Sequence, residues 1–310
     1  MPHPDAIRGA IYGLLVGDAL GVPYEFRWPD SIPPMDAIEM QPPAGFARSH
    51  SQVPVGTWSD DGAQALCLLA SLLECGRMDV DDLGRRLVRW QNEGYLAVDQ
   101  DVFDIGIGTS AALRRIAAGT SAAAAGGEAD SENGNGSLMR ILPLALWHRG
   151  SDAELVHDAQ LQSLPTHRHP RSQVCCALYC LWARRIIEGS SDPWFGAVDF
   201  METHSAKNER MLAELEFHVR PREPYACKGT GYVVDALRSA EEICRTESSY
   251  EAVVRRAIAL GHDTDTTACI AGGIAGLMYG VDSIPQRWMV QLRGKELVEP
   301  LLHQLVGHAR

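Results

Sequence analysis

The sequence predicts an all-α fold organised as one domain, and three observations carry that expectation. Apolar residues recur at helical spacing: Ile7, Ile11, Leu14, Leu15 and Ala19 share one helical face, and Ala63, Leu66, Leu69, Ala70 and Leu73 share another. Val and Ile fall mostly at that same spacing, and no convincing alternation of apolar and polar residues marks a half-buried strand. No linker or break in hydrophobicity divides residues 1–310, and 45% hydrophobic content can fill one large core.

A helix is expected over 5–20, with Asp5 near its start. Gly13, Gly17 and Gly21 let another backbone come close to it. A proline-rich stretch follows at 23–56, containing Pro23, Pro29, Pro33, Pro34, Pro42, Pro43 and Pro54. Long loops inside compact domains are usually functional, so this one is expected to be a lid. Helices are expected over 62–76, 79–94 and 107–118, the last ending near Gly119. Residues 121–136, rich in Ala, Gly, Ser and Asn, read as a loop. Further helices are expected over 137–149, 151–163, 170–188, 207–217, 231–245, 249–260, 265–279 and 285–306. The least regular section, 189–230, reads as an insertion.

Net charge is −12 and no Lys/Arg-rich run occurs, which excludes a nucleic-acid groove. It does not exclude an anionic ligand, because cations and helix N-termini bind phosphate locally. The eight cysteines form no CxxC pair and several sit in apolar helical patterns, as expected for reduced core thiols of a cytoplasmic protein. The start, MPHPDAIRGAIYGLL, lacks the features of a signal peptide. No stretch of about 18 apolar residues is evident, so no membrane span is expected.

Two acidic clusters carry the chemistry. Ser59-Asp60-Asp61 lies in GTWSDDGAQALCLLASLLE, and Asp263-Thr264-Asp265-Thr266 lies in GHDTDTTACIAGGIAGLMYG. Each puts carboxylates and a hydroxyl at the mouth of an apolar, small-residue helix. Four carboxylates buried together need countercharge, and hard divalent cations with oxygen ligands supply it. Asp60 and Asp61 would diverge by about 100° on a regular helix, but at a helix N-terminus both can reach one ion or two neighbours. Ser59 and Thr266 add neutral oxygens, and oxygen-only ligation favours Mg, Mn or Ca over Zn. The plainer reading is that each acid only caps its helix.

Other signals are weaker. Asn133-Gly134-Asn135-Gly136-Ser137 precedes LMRILPLALW and could offer backbone N–H groups to a diphosphate, or could be an ordinary turn. Glu25 sits where the first helix meets the proline-rich loop, as a functional acid or as a solvated one. His262-Asp263 invites comparison with His-Asp phosphohydrolases, but the close pair His167 and His169 lies in a loop before Pro170. An aspartate-rich prenyl-transfer site would want a carboxylate at position 64, which is Gln.

In order, GDALGVPYEF, WSDDGAQALCLLASLLE, NGNGSLMRILPLAL, THRHP, GTGYVVDALRSA and GHDTDTTACIAGGIAGLMYG resemble the ADP-ribosylglycohydrolases. The resemblance spans about 7–280. It implies a compact orthogonal helical bundle with two divalent cations, Mg2+ or Mn2+, that releases ADP-ribose from a modified side chain. Arginine is the expected acceptor. An O-linked acceptor such as serine, a non-catalytic ADP-ribose binder and a nucleotide phosphohydrolase are the rival readings. By motif position, Ser59, Asp60, Asp61, Asp263, Asp265 and Thr266 would hold the ions. Glu25 and Asp61 would serve proton transfer, Glu25 from a gating loop. Gly134, Asn135, Gly136 and Ser137 would cradle phosphates, His167 would line the cleft, and Tyr232 would lie near the adenine or distal ribose. The implied partners are an ADP-ribosylated protein or a related ADP-ribose derivative, with a cognate toxin or its target a further expectation for an immunity protein. Two departures stand out: Gly62 where many relatives have Thr, and His262 where many have Gly or Asn.

Overall fold

A computed structural model describes residues 3–308. Among these residues the chain forms α-helices and connecting loops, with two isolated bridges, Gly127–His167 and Gly134–Tyr232, and no strand. The helices are α1 (Pro4–Gly21), α2 (Asp60–Cys75), α3 (Val80–Glu93), α4 (Ile107–Ala117), α5 (Ala122–Ala125), α6 (Leu142–Trp147), α7 (Asp152–Ser163) and α8 (Pro170–Ile187). They continue with α9 (Pro193–Ser205), α10 (Glu209–Ala213), α11 (Val233–Thr246), α12 (Tyr250–Ile258), α13 (Thr264–Tyr279), α14 (Gln286–Gln291) and α15 (Lys295–His308).

Local chemistry sets many boundaries. Ser59 caps α2 and Gly76 ends it in the left-handed conformation. Asp79 and Gly94 do the same for α3, and Ser151 with Glu154 forms a capping box on α7.

The centre of the molecule is the pair α1 and α13, which run antiparallel in backbone contact. A Cβ built on Gly13 would lie 2.4 Å from Gly272 O, and one on Gly17 would lie 2.1 Å from Ala268 O. Only glycine fits there, so the small-residue stripe of each helix exists to admit the other. The pairing brings the C-terminus of α1 beside the first turn of α13, where Thr264 Oγ1 donates to Gly21 O at 2.8 Å. The N-terminus of α2 joins them: the Asp18 carboxylate, on α1, accepts from Ser59 N at 2.9 Å and Gly62 N at 2.8 Å. Three helix ends thus meet at one point, and one continuous hydrophobic core surrounds them.

Several expectations need correction. The span Pro4–Tyr24 is long and apolar enough by composition to cross a membrane, but 89% of its apolar window is buried inside the protein. It is apolar because it is the core helix. The section 189–230 is not irregular throughout: Asp192 caps the 13-residue α9, and α10 and a π-helical turn at Glu214–Val219 follow. The helix expected at 137–149 is confined to Leu142–Trp147, with Pro143 in its first turn. The one expected at 285–306 is broken at Gly294, whose φ is +69° and where any Cβ would meet the Trp58 ring at 2.3 Å. Residues 23–56 contain only short 3-10 turns, as expected of a loop.

Candidate functional site

Around the junction of α1, α2 and α13 lies a cluster of buried carboxylates. Asp18, Asp61 and Asp265 each offer an oxygen within 4.8 Å of the others. Glu25, Asp263 and Asp265 form a second such group, and Glu25, His50 and Asp104 a third. Asp265 links the first two groups and Glu25 links the last two, so the cluster extends continuously from α1 to the proline-rich loop. The two acidic motifs are tied directly, because Thr266 Oγ1 donates to Asp61 Oδ1 at 3.3 Å.

Burial dominates the electrostatics. It pushes the carboxyls of Asp60, Asp61 and Asp265 well above their ordinary range, and neighbouring carboxylates push them further. Asp263 is raised by burial as well. Asp18 and Asp104 are each raised to about 7, chiefly by burial. Glu25 is raised to about 11 by burial, then by the charges of Asp104, Asp263, Asp60 and Asp18. Such a group is poorly satisfied as protein alone. Asp61 Oδ2 and Asp265 Oδ2 are fully buried with no hydrogen-bond partner. Buried oxygens without donors, on hard ligands held close together, fit divalent cations.

Not every residue singled out in the sequence lies at this focus. One oxygen of Asp60 is taken by Gln64 Nε2 at 2.9 Å, and Asp60 belongs to none of the three groups. The Ser59 hydroxyl accepts from Asp61 N at 3.4 Å as the α2 cap, which is the capping role sequence allows.

The glycine-rich loop reaches the cluster from the other side. Asn135 Nδ2 donates to Asp263 Oδ2 at 2.8 Å, and Asn135 N donates to Gly231 O at 3.0 Å. Among the described residues, the N–H groups of Gly134, Gly136 and Ser137 donate to no protein acceptor. Gly136 is held tightly against His167, where a Cβ would lie 2.8 Å from Cε1. The His167 pKa is lowered to about 3 by burial and the Arg140 charge, so its ring is neutral at pH 7. Ser137 differs from its neighbours. Its hydroxyl is fully buried and accepts from Ser163 Oγ at 2.8 Å, so only its backbone can reach a ligand. Tyr232 keeps a ring 37% exposed beside the loop, and Arg171 Nη1 donates to its hydroxyl at 3.3 Å. Arg171 also fills the nearby group of Asp130, His169 and Glu214, donating from Nε to Glu214 at 2.7 Å.

Glu25 stands at the start of the proline-rich loop with its side chain buried. It is 3% exposed, and His50 Nε2 is hydrogen-bonded to its Oε2 at 2.7 Å. Asp104 Oδ1 lies 3.8 Å from the same His50 nitrogen. Phe26, His50, Asp104 and His262 all have positive φ, between 46° and 59°. Left-handed non-glycine residues are uncommon, and four of them border this cluster.

Sequence reasoning missed Asp18, His50 and Asp104. Asp18 left one signal, a lone acid in an otherwise apolar helix, which burial makes costly without a role. His50 and Asp104 left none beyond membership of loops.

The structure is thus an all-helical domain in which three helix ends meet at a buried, oxygen-rich centre beside a glycine-rich loop. A family model described as ADP-ribosylglycohydrolase matches residues 2–310, and the chain belongs to that family. It is 30% identical over 303 residues to ADP-ribosylarginine hydrolase Tri1 of Serratia proteamaculans, covering 97% of this chain and 79% of that one. It is 28% identical to ADP-ribosyl-[dinitrogen reductase] glycohydrolase of Rhodospirillum rubrum, covering 93% and 90% respectively. A solved structure titled ADP-ribosylglycohydrolase-related protein complex superposes with a TM-score of 0.79 at 29% identity, over 99% of both chains. The protein is a hydrolase acting on ADP-ribosylated substrates.

Proposed function

We propose that this hydrolase removes mono-ADP-ribose from arginine side chains of cytoplasmic proteins, and that it works with two divalent cations, Mg2+ or Mn2+. The observation that carries the proposal is the continuous carboxylate cluster, with Asp61 Oδ2 and Asp265 Oδ2 buried and unpartnered. The arginine acceptor is supported by the similarity to the arginine-specific relative. The compartment is supported by eight free cysteines, six of them buried.

Asp18, Asp61, Asp263 and Asp265 would hold the cations, with Ser59, Asp60 and Thr266 at their margins. When bound, such cations polarise ligand oxygens and provide a nucleophile at neutral pH. The remaining work belongs to the chain. Gly134, Gly136 and Ser137 present free N–H groups to the diphosphate, with His167 as the neutral wall behind them. Tyr232 offers its exposed ring to the adenosine end. The carboxylates around the ribose favour the positive charge that develops at C1″ as the glycosidic bond breaks. Glu25 and Asp61 stand on different elements of the cluster, as an acid and a base require. The loop 23–56 would act as the lid, since it alone delivers Glu25 and His50 to the site.

Release of free ADP-ribose from arginine- and serine-linked substrates, with Mg2+, Mn2+ or EDTA, tests this. Cation-dependent release from the arginine substrate is expected. Release that survives EDTA, or that occurs only from serine, would overturn the corresponding part.

A further inference from the structure

The rim of the carboxylate cluster carries two large aromatic side chains that the chemistry above does not use. Phe26 is 67% exposed and Trp28 is 71% exposed. Phe26 follows Glu25 directly and Trp28 comes two residues later on the same loop. They are fixed in place: Phe26 N donates to His262 O and His262 N donates to Arg27 O, each at 2.6 Å. Gly261 seals the pairing, because a Cβ there would lie 2.6 Å from Arg27 O. Phe26 holds this position at a φ of +59°, a conformation costly for an aromatic residue. The Trp28 ring stands edge-on to His262, with centroids 4.9 Å apart, and the Phe26 ring lies 5.8 Å from that of His50.

Each ring packs on a histidine that adjoins an acid, and among the described residues neither ring carries a resident cation. His50 is bonded to Glu25, and His262 is followed by Asp263. Elsewhere arginines lie over Tyr12, Tyr95, Tyr225, Phe195, Trp194 and Trp288. Among the described residues none lies over Phe26 or Trp28. The cation nearest in sequence, Arg27, donates from Nη2 to Ala47 O at 2.5 Å and lies over neither ring. A planar guanidinium stacks on aromatic faces and pairs with carboxylates, and this rim presents both.

We propose that Phe26 and Trp28 form the acceptor subsite, stacking on the guanidinium of the modified arginine while Glu25 faces its glycosidic nitrogen. The inference rests on the arginine-hydrolase reading and assigns its specificity to two residues. It follows that the rings recognise the acceptor and not the ADP-ribose. An acceptor hydroxyl gains nothing from them, because it carries no charge.

The test uses the full chain with its cation, in wild-type, Phe26→Leu and Trp28→Leu forms, with Phe26→Tyr as the conservative control. The first arm titrates agmatine, a bare alkylguanidinium, and follows the Trp28 indole N–H by NMR. A shift in wild type that saturates at millimolar agmatine, and weakens in Phe26→Leu, is expected. No shift of that signal would overturn the inference, whether or not the protein hydrolyses anything. The second arm measures KM for arginine-linked substrate and Kd for free ADP-ribose. Each Leu variant is expected to raise KM about 2- to 30-fold, the range of one cation–π contact, with Kd unchanged and Phe26→Tyr near wild type. Hydrolysis with unaltered KM in both Leu variants would overturn this inference alone. Agmatine binding without release from the arginine-linked substrate would retain the subsite and overturn the arginine-hydrolase reading.

Discussion

Asn135 Nδ2 donates to Asp263 Oδ2 across 2.8 Å, joining the glycine-rich loop to the carboxylate cluster. The two ends of an ADP-ribose would therefore sit on parts that brace each other. Asn135→Ala removes a hydrogen bond to a charged group, worth about 1.5–3 kcal/mol. An increase of roughly 10- to 100-fold in the Kd for ADP-ribose is expected by calorimetry. An unchanged Kd would show that the loop keeps its shape without this tie.

Asp265 belongs to two of the three ligand groups, and Asp61 to one. Asp265→Asn and Asp61→Asn should each cut turnover by about 10²–10³-fold, as loss of a central electrostatic group does. At a pH where these raised carboxyls are ionised, the cation-free variants should melt higher than wild type, because each then removes a buried charge that nothing offsets. The rise in Tm that Mg2+ or Mn2+ produces in wild type should shrink in both. Thermal scans with and without EDTA check both effects on one sample.

How much of this was legible in the sequence depends on distance along the chain. The all-α class followed from apolar spacing, and the glycine stripe of α1 announced a close helix neighbour. The Asp61 and Asp263-Asp265 motifs each marked a helix mouth, and these mouths do meet. What the sequence hid was contributed by residues whose neighbours are remote. Asp18 caps α2 from α1, a relationship no local pattern records. His50 and Asp104 join Glu25 only because the loop folds back. The resemblance put Ser137 in the phosphate loop without saying which of its atoms faces out; its hydroxyl packs against Ser163, a contact 26 residues away that no local pattern records. The helix break at Gly294 rests on its contact with Trp58 and was hidden for the same reason, whereas the late start of α6 follows Pro143, a signal the sequence did carry.

Stability of the cation-free protein should depend on pH with a defined sign. Asp18 and Asp104 ordinarily titrate at 3.8 and are held at about 7 in the fold, mainly by burial. A raised carboxyl binds its proton more tightly in the folded state. Its contribution is therefore fully present below 3.8 and is lost as pH rises through about 7. Tm in EDTA should fall across that window, and saturating Mg2+ should flatten or reverse the slope. Carboxylates held low elsewhere, such as Asp152 and Glu299, tilt Tm the other way, so the comparison is with Asp18→Asn: a Tm slope in EDTA that this variant leaves unchanged would contradict the burial of the carboxyl.

The α1–α13 contact predicts a large effect from a single methyl group. Gly13→Ala places a Cβ 2.4 Å from Gly272 O, where the neighbour is backbone and cannot rotate away. The helices must separate, at a cost of about 3 kcal/mol or more. Gly119→Ala meets no atom within 4 Å but sits at a φ of +99°, so it reports backbone strain alone. Denaturant midpoints should fall further for Gly13→Ala, and ADP-ribose binding should weaken with it, because Asp18 and Asp265 ride on those two helices.

Arg140 supports the cluster from below. It is fully buried, and its partners are neutral: Gln64 Oε1 at 2.9 Å, Gln162 Oε1 at 3.2 Å and Gln162 O at 2.9 Å. Gln64 in turn donates to Asp60 at 2.9 Å, so the guanidinium orients the amide that holds this carboxylate. Burial lowers the Arg140 pKa to about 10, which leaves it protonated at neutral pH. Lysine retains the charge but cannot span three acceptors with a planar fork. Arg140→Lys is expected to cost about 2–4 kcal/mol through the lost hydrogen bonds. Gln64→Leu separates orientation from charge, because it cuts the link to Asp60 while Arg140 keeps its bonds to Gln162. That variant should lose cation affinity, read by titration, more than it loses denaturant stability. Equal loss of both would make Arg140 and Gln64 supports of the core only.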